Sequence, residues 1–347
     1  MTVRVGLMGF GRLGRNIFRA IYSRRDLQVV AINELADSKS MEYLLRYDTL
    51  RGTFDEPVRV IDDALYMQGR QIPVLHHTEP GQIPWYEYGV DVVIEATGRY
   101  RRREDLQKHL EQGADRVILT VPPADPPAAP LDGIHLRGIS AEPIDRDQRL
   151  ISCGSSTANC CAVMVKVLQD AFGVVEGSFT SIHAYTNEQS LGDVPASDLR
   201  SSRAALENIV PLETWTDAAV IGAFPHLQGR FSGLKLNVPV PEVSCVDLTV
   251  SLDRSVTPVE VNEVFRSASA STLREILDFT EQPIVSSDVA GSDRSCVFDS
   301  LATMVVGGDL VKVIGWYAQG GGLASRIVEV AAMLGPRAGH GDRRNDA

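Results

Sequence analysis

Apolar and polar positions along the first hundred residues follow both regular periods in turn. Val3 to Met8 (VRVGLM) is a short apolar run, GFGRLGRNIFRAIYS carries glycines and then helix-spaced apolar positions, and LQVVAIN is a second run ending at Asn33. This order predicts strand, glycine turn, helix and strand, a βαβ unit. The segment VRVIDDALYMQGRQIPVLHH predicts antiparallel strands, VDVVIEATG from Val90 a buried strand with a glycine exit, and RVILT from Arg116 another strand. The proline-rich stretch from Val121 to Pro130 reads as loop, RLISC from Arg149 as strand, and STANCCAVMVKVLQDAF from Ser156 as a buried helix. From Gly177 the pattern changes to longer alternating strands, SFTSIHAY, GLKLNVPV and SCVDLTVSL, with one helix near PVEVNEVFRSAS. The expected fold class is therefore α/β, with a first domain over 1–155 and a second, α+β domain with an antiparallel sheet over 156–320. A last helix within 321–335, GLASRIVEVAAML, has an apolar face that must pack elsewhere, and the polar tail 336–347 is expected to be disordered.

The 347 residues, 44% of them apolar, can fill two cores. A net charge of −11 disfavours nucleic acid and anionic membranes, since both need a basic face, and leaves small molecules as partners. The N-terminal apolar run is too short for a secretory signal and no run approaches the ~18 residues of a membrane span, so a soluble cytoplasmic protein is expected. Five cysteines, Cys153, Cys160, Cys161, Cys245 and Cys296, form neither a paired framework nor a CxxC site. The scattered His76, His77, His109, His135 and His226 have no metal spacing, so no metal is expected. The basic cluster RYRRR at Arg99 reads as a solvated face before an acidic helix, and Trp85 and Trp316 read as core.

Candidate chemistry begins at the glycine turn. Gly9, Gly11 and Gly14 stand in GxGxxG order after a strand and at the start of a helix, and Glu34 follows Gly14 by 20 residues at the end of the second strand. Gly9 permits the turn, Gly11 lets backbone amides approach a pyrophosphate, Gly14 allows close helix–strand packing, and the helix N-terminus supplies positive potential. Glu34 is placed to hold ribose hydroxyls and to repel a 2′-phosphate, which favours NAD over NADP.

Together these residues resemble the phosphorylating glyceraldehyde-3-phosphate dehydrogenase family, including its erythrose-4-phosphate dehydrogenase branch, from residue 1 to about 335. The landmarks are GFGRLGR at Gly9, INEL at Ile32, RYDTLRGTF at Arg46, EATG at Glu95, HAYTNEQ at His183, DLRSSRAALENIVP at Asp198 and NVPVPEVSCVDL at Asn237. The resemblance implies an N-terminal Rossmann domain, a catalytic domain whose sheet makes subunit contacts, a last helix packed back on the first domain, and a homotetramer. It also implies NAD held by Gly9, Phe10, Gly11, Arg12, Leu13 and Gly14, with Glu34, Thr97, Gly98, Thr120 and Gln319 completing the cofactor site.

The family mechanism needs a cysteine thiolate at a helix N-terminus beside a histidine, in the run S-C-T-T-N-C. Here that run is Ser155, Ser156, Thr157, Ala158, Asn159, Cys160, so serine stands at the nucleophile's position and thioester chemistry there is absent. His183 matches the catalytic histidine and is a candidate general base for a hydroxyl or hydrate. The arginine that grips substrate phosphate is replaced by Asn237, and the second arginine of the family's DLRRAR motif by Ser201. Trp215 follows Thr214 where the family has glycine, and its indole is large enough to fill an anion pocket. Thr157, Thr186 and Thr214 remain as hydroxyl donors. Gln319 takes the place of the asparagine that orients the nicotinamide carboxamide, followed by three glycines, and Met8 replaces an asparagine before GFGR. Three functions stay open: an oxidoreductase on a nonphosphorylated carbonyl or alcohol, using Ser156, His183 and Thr157; a noncatalytic NAD-binding relative with a regulatory or scaffold role; or a form in which Ser156 was substituted for a catalytic cysteine.

Overall fold

The described residues form two compact units, one within 2–135, 143–153 and 324–335 and the other within 136–140 and 154–323. The structure is a computed structural model and describes residues 2–67, 69–124, 130–140, 143–145, 147–186 and 189–335. The expected disordered tail, the middle of the proline-rich loop and two residues of HAYTNEQ, Asn187 and Glu188, lie outside the described residues.

In the first unit the short apolar runs become a nine-stranded sheet. Its order is Gly133–Ile134, Leu150–Ser152, Arg116–Leu119, Val92–Glu95, Val3–Met8, Leu27–Asn33, Arg70–Leu75, Ala64–Met67 and Arg59–Ile61. The first seven pair in parallel, as buried strands joined by crossovers must. The last two are an antiparallel meander added to Arg70–Leu75, joined by tight turns such as that at Asp62 and Asp63, both at positive φ. Helix α1 (Arg12–Tyr22) starts at the glycine turn and buries Ile17, Phe18 and Ile21. Helices α2 (Ser38–Arg46) and α3 (Arg103–Glu111) follow; Asp37 caps α2 by accepting from Ser40 N.

The second unit is built on a seven-stranded sheet ordered Val210–Leu212, Phe231–Val238, Val174–Ala184, Val243–Leu252, Leu310–Ala318, Cys296–Val306 and Leu277–Thr280. It is mixed rather than wholly antiparallel: Val174–Ala184 pairs in parallel with Phe231–Val238, and Leu277–Thr280 with Cys296–Val306. The intervening chain is long enough in both cases for a crossover, which a hairpin could not supply. Helix α4 (Ser156–Phe172) is almost wholly buried against this sheet, and the stacked rings of Phe265 and Phe298 extend the same core. Helix α5 (Thr216–Ala223) is an addition to the expected elements; eight residues without an apolar stripe carry little periodic signal. Helix α6 (Pro258–Ala270) occupies the expected PVEVNEVF segment, opened by a Thr257/Glu260 capping box with Pro258 in the first turn. Helix α7 (Gly321–Leu334) ends in the first unit, where Arg116 Nη1 donates to Leu334 O at 2.9 Å.

Candidate functional site

The first unit carries a cavity of about 270 Å³ at the carboxyl ends of its central strands, lined among others by Gly9, Gly11, Glu34, Thr97 and Tyr100. Gly9 has a φ of +95°, and a Cβ on Gly14 would sit 2.3 Å from the Gly9 carbonyl oxygen, so strand and helix touch through glycine. Gly11 has nothing within 4 Å of a built Cβ and stands at the N-cap of α1. That open approach to the first-turn amides suits a pyrophosphate.

Glu34 stands on the rim, as the spacing predicts, but its carboxylate is already held by the backbone. Oε2 accepts from Phe10 N at 2.6 Å, and Oε1 accepts from Leu35 N at 2.8 Å and Ala36 N at 3.1 Å. The acid is thus fixed in place, with one carboxylate oxygen carrying a single bond and able to accept a ribose hydroxyl. Phe10 itself is buried edge-on against Phe18, and Arg12 and Leu13 form the first turn of α1. Thr97 and Gly98 are exposed at the strand exit, whereas the Thr120 hydroxyl donates to Glu95 O at 3.0 Å and faces inward.

Sequence reasoning did not find the support under this cavity. Asn33 Nδ2 donates to His77 O at 2.9 Å and to Met8 Sδ at 3.3 Å, while Asn33 Oδ1 accepts from His77 N, which fastens the 76–78 segment to the strand ends. Tyr100 hydroxyl donates to Thr78 O. Deeper, Trp85 Nε1 donates to His109 Nδ1 at 2.9 Å, His109 Nε2 meets Glu95 Oε2 at 3.3 Å, and Glu95 Oε1 accepts from the Thr97 amide at 2.8 Å and from its hydroxyl. His109 and Glu95 are fully buried. His109→Leu therefore strands an indole N–H and a carboxylate oxygen together, and denaturant unfolding should show a loss of about 2–4 kcal/mol. A loss under 1 kcal/mol would mean that the chain is not a structural strut.

In the second unit, Ser156 is the first residue of α4, with Ser155 as N-cap accepting from Ala158 N at 3.1 Å. His183 lies near the end of Val174–Ala184, buried, with Nδ1 2.7 Å from Ala184 O. That contact makes Nδ1 the protonated nitrogen and leaves the Nε2 lone pair free to take a proton. Gln319 Nε2 lies 3.1 Å from the same Nδ1, and its own donation goes to Ala184 O at 2.9 Å and Ser244 Oγ at 3.4 Å. The Gln319 amide thus packs on the histidine and fixes it. Burial first, and Lys235 second, hold the His183 pKa down at about 4, so the ring is neutral at pH 7. No hydrogen bond joins His183 to Ser156 among the described residues.

Because the unfolded chain protonates His183 near its ordinary 6.5 and the native chain only near 4, this group lowers stability as pH falls through that window. The full difference is about 3 kcal/mol. His183→Asn should flatten the acid limb of a stability-against-pH curve by roughly that amount between pH 7 and 4; an unchanged limb would show that other groups set it.

Two of the expected substrate donors have their hydroxyls engaged within the protein. Thr157 Oγ1 meets Tyr317 hydroxyl at 2.7 Å and that hydroxyl meets Ser181 Oγ at 3.0 Å, so Thr157 belongs to a buried polar knot. Thr214 Oγ1 accepts from Thr216 N and shapes the start of α5. Trp215 is 44% exposed at the N-cap of α5 and lines an open groove with Thr214 and Asp217. Thr186 N donates to Gln189 Oε1 at 3.3 Å, and the same oxygen accepts from Asn237 Nδ2 at 2.6 Å. The register of the parallel pair sets Asn237 directly beside His183.

All five cysteines are buried. Burial pushes the Cys153 and Cys245 thiols up to about 12 and raises Cys160 and Cys161 well above the ordinary thiol range. None is an activated nucleophile. No group of acids, histidines and cysteines suited to a metal ion occurs among the described residues, and no helix there is long and apolar enough to cross a membrane.

A parallel sheet with its glycine turn, open first-turn amides and a rim carboxylate at the end of the second strand defines a dinucleotide-binding domain of the Rossmann class. Residues 3–103 match the family model described as "Glyceraldehyde 3-phosphate dehydrogenase, NAD binding domain", and residues 152–319 match "Glyceraldehyde 3-phosphate dehydrogenase, C-terminal domain". The chain is 41% identical over 332 residues to "Glyceraldehyde-3-phosphate dehydrogenase 1" of Bacillus cereus, covering 95% of this chain and 98% of that protein. It is 42% identical to the "Glyceraldehyde-3-phosphate dehydrogenase" of Geobacillus stearothermophilus (96% and 98% covered) and to that of Streptomyces coelicolor (96% and 99% covered). The chain belongs to the glyceraldehyde-3-phosphate dehydrogenase family, and its cofactor is NAD.

Proposed function

We propose that this chain is an NAD-dependent oxidoreductase acting on a nonphosphorylated aldehyde or related carbonyl or alcohol, and not an efficient phosphorylating glyceraldehyde-3-phosphate dehydrogenase. The observation that carries this is His183, a neutral imidazole with Nδ1 held by Ala184 O and its register partner a neutral amide, Asn237, in place of a fixed cation. Exchanging a guanidinium for an amide removes a charge-assisted contact to phosphate of roughly 1.5–3 kcal/mol. Bound NAD supplies the hydride acceptor for an alcohol or aldehyde hydrate. His183 Nε2 takes the hydroxyl proton, Ala184 O keeps the imidazole in the tautomer that can do so, and Ser156, half-buried at the positive end of α4, binds the substrate oxygen. Without a hydrogen bond to His183, the Ser156 hydroxyl stays protonated and does not attack carbon.

The absence of an activated cysteine favours a second reading, a noncatalytic NAD-binding relative. The two separate by NADH absorbance over a set of phosphorylated and nonphosphorylated aldehydes, with and without inorganic phosphate, once NAD binding is demonstrated. Phosphate-independent turnover of a nonphosphorylated compound is expected. Silence across the set, with NAD bound, would sink the oxidoreductase reading.

The chain is further proposed to assemble as a homotetramer. Leu191, Leu199 and Ile209 around the 190–209 segment, and Leu301, Met304 and Val306 on the sheet, are large apolar side chains more than half exposed in a single copy, and such surface is covered by association. Sedimentation equilibrium should return four times the 37.8 kDa chain mass; a monomer at micromolar concentration would overturn the assembly.

A further inference from the structure

In the second unit, Asn237 Oδ1 is buried and has no hydrogen-bond partner, on a residue 2% exposed. The orientation of this amide is set by its neighbours. Gln189 Oε1 accepts from the Thr186 amide, which identifies it as the oxygen, and Asn237 presents its nitrogen to that oxygen at 2.6 Å. Turning the Asn237 amide over would face two acceptor oxygens at that distance, so Oδ1 is the end left without a donor. The atom belongs to the register partner of His183, and side chains of register partners in a parallel pair share a face of the sheet. Lys235, two positions earlier on the same strand and the same face, is the nearby cation that disfavours protonation of His183.

An unpaired buried acceptor selects its ligand by sign. A phosphate dianion is drawn toward Lys235 but has no proton to give a carbonyl oxygen, so it would leave Oδ1 unsatisfied. An ammonium could donate but would enter the field of Lys235. A neutral hydroxyl donates without charge. We infer that Asn237 is a specificity-determining residue whose Oδ1 accepts a hydrogen bond from a hydroxyl of the substrate, so that the site selects a hydroxylated, nonphosphorylated carbonyl compound. This rests on the oxidoreductase reading above and names its substrate class.

The test reads binding and turnover side by side on the NAD-saturated full chain. Calorimetric titration compares glyceraldehyde, propanal and glyceraldehyde 3-phosphate, and NADH absorbance follows the same three. Glyceraldehyde is expected to bind at least ~10-fold tighter than either of the others, because a site built around a hydroxyl rejects the analogue that lacks one. Asn237→Leu should bring the glyceraldehyde-to-propanal ratio close to one, while Asn237→Asp, which keeps an acceptor, should retain discrimination. Equal binding of glyceraldehyde and propanal by the unmodified chain, as when a water satisfies the oxygen, overturns the inference whether or not the variants fold. So does a ratio that survives in Asn237→Leu, or tightest binding of glyceraldehyde 3-phosphate. Selective binding without NADH formation supports the inference and overturns the oxidoreductase reading. Equal turnover of glyceraldehyde and propanal does the reverse.

Discussion

Ser156→Cys should create a thiol that iodoacetamide alkylates at least ~100-fold faster than any cysteine already in the chain. Position 156 is half-buried at the first turn of α4, where the unpaired amides and the helix dipole stabilise an anion, and His183 shares the second unit with it. The five native cysteines are buried, and burial raises four of them well above the ordinary thiol range. Labelling followed by peptide mass mapping should therefore find the parent chain almost unmodified and the variant modified once, at 156. Uniform slow labelling of the variant would show that the helix N-terminus does not activate a thiol there. In the NADH assay, gain of phosphate-dependent activity in Ser156→Cys would identify serine as a disabling change, whereas substrates turned over by both forms must use chemistry that needs no thioester. A double variant with Asn237→Arg extends the comparison, since phosphate-ester binding should then rise by about 10- to 100-fold, the worth of the recovered charge-assisted contact.

Two alanine substitutions in the glycine turn should have separable effects. Gly11→Ala is expected to leave the melting temperature unchanged, because its φ of −65° suits alanine and nothing lies within 4 Å of the added carbon. The methyl group instead stands where the dinucleotide must approach the backbone, so NAD affinity should fall by at least ~10-fold, or about 1.4 kcal/mol. Gly14→Ala meets the Gly9 carbonyl oxygen at 2.3 Å and forces helix from strand. It should lose roughly 1–3 kcal/mol of stability as an overpacked contact does, and cofactor affinity with it. Calorimetry of unfolding and NAD titration on both variants decide the matter: native-like NAD binding by Gly11→Ala would remove the pyrophosphate from that turn.

What the sequence conveyed depended on how local each signal is. The βαβ unit, the N-terminus of α4 at Ser156 and the strand carrying His183 each follow from neighbours within one or two turns of chain, and the structure places them there. Helix α5 is short and has no apolar stripe, so it does not show in the periodicity, whereas α2 buries Ser38, Met41 and Leu45 on one side but is only nine residues long. The parallel pairing of Phe231–Val238 with Val174–Ala184 depends on segments some fifty residues apart, and periodicity cannot distinguish it from an antiparallel hairpin. Side-chain engagement was less legible still. Thr157 shows as a hydroxyl beside the nucleophile's position, yet its partner, Tyr317, lies 160 residues away. The lowered pKa of His183 arises from burial and Lys235, and the orientation of Asn237 from Gln189, which meet only in the folded protein.

The closed packing of the thiols reaches beyond mechanism. Gly315 leaves so little room that a Cβ there would come within 2.7 Å of Cys296 Sγ and Met164 Sδ and 3.1 Å of Cys160 Sγ. Peroxide must reach a thiolate to begin the climb to sulfenic and sulfinic acids; both cysteines are buried, and burial holds the Cys160 thiol protonated. Dehydrogenases that work through an open thiolate stop when a cell is oxidised. The hydroxyl of Ser156, at the first turn of α4, offers peroxide no such target.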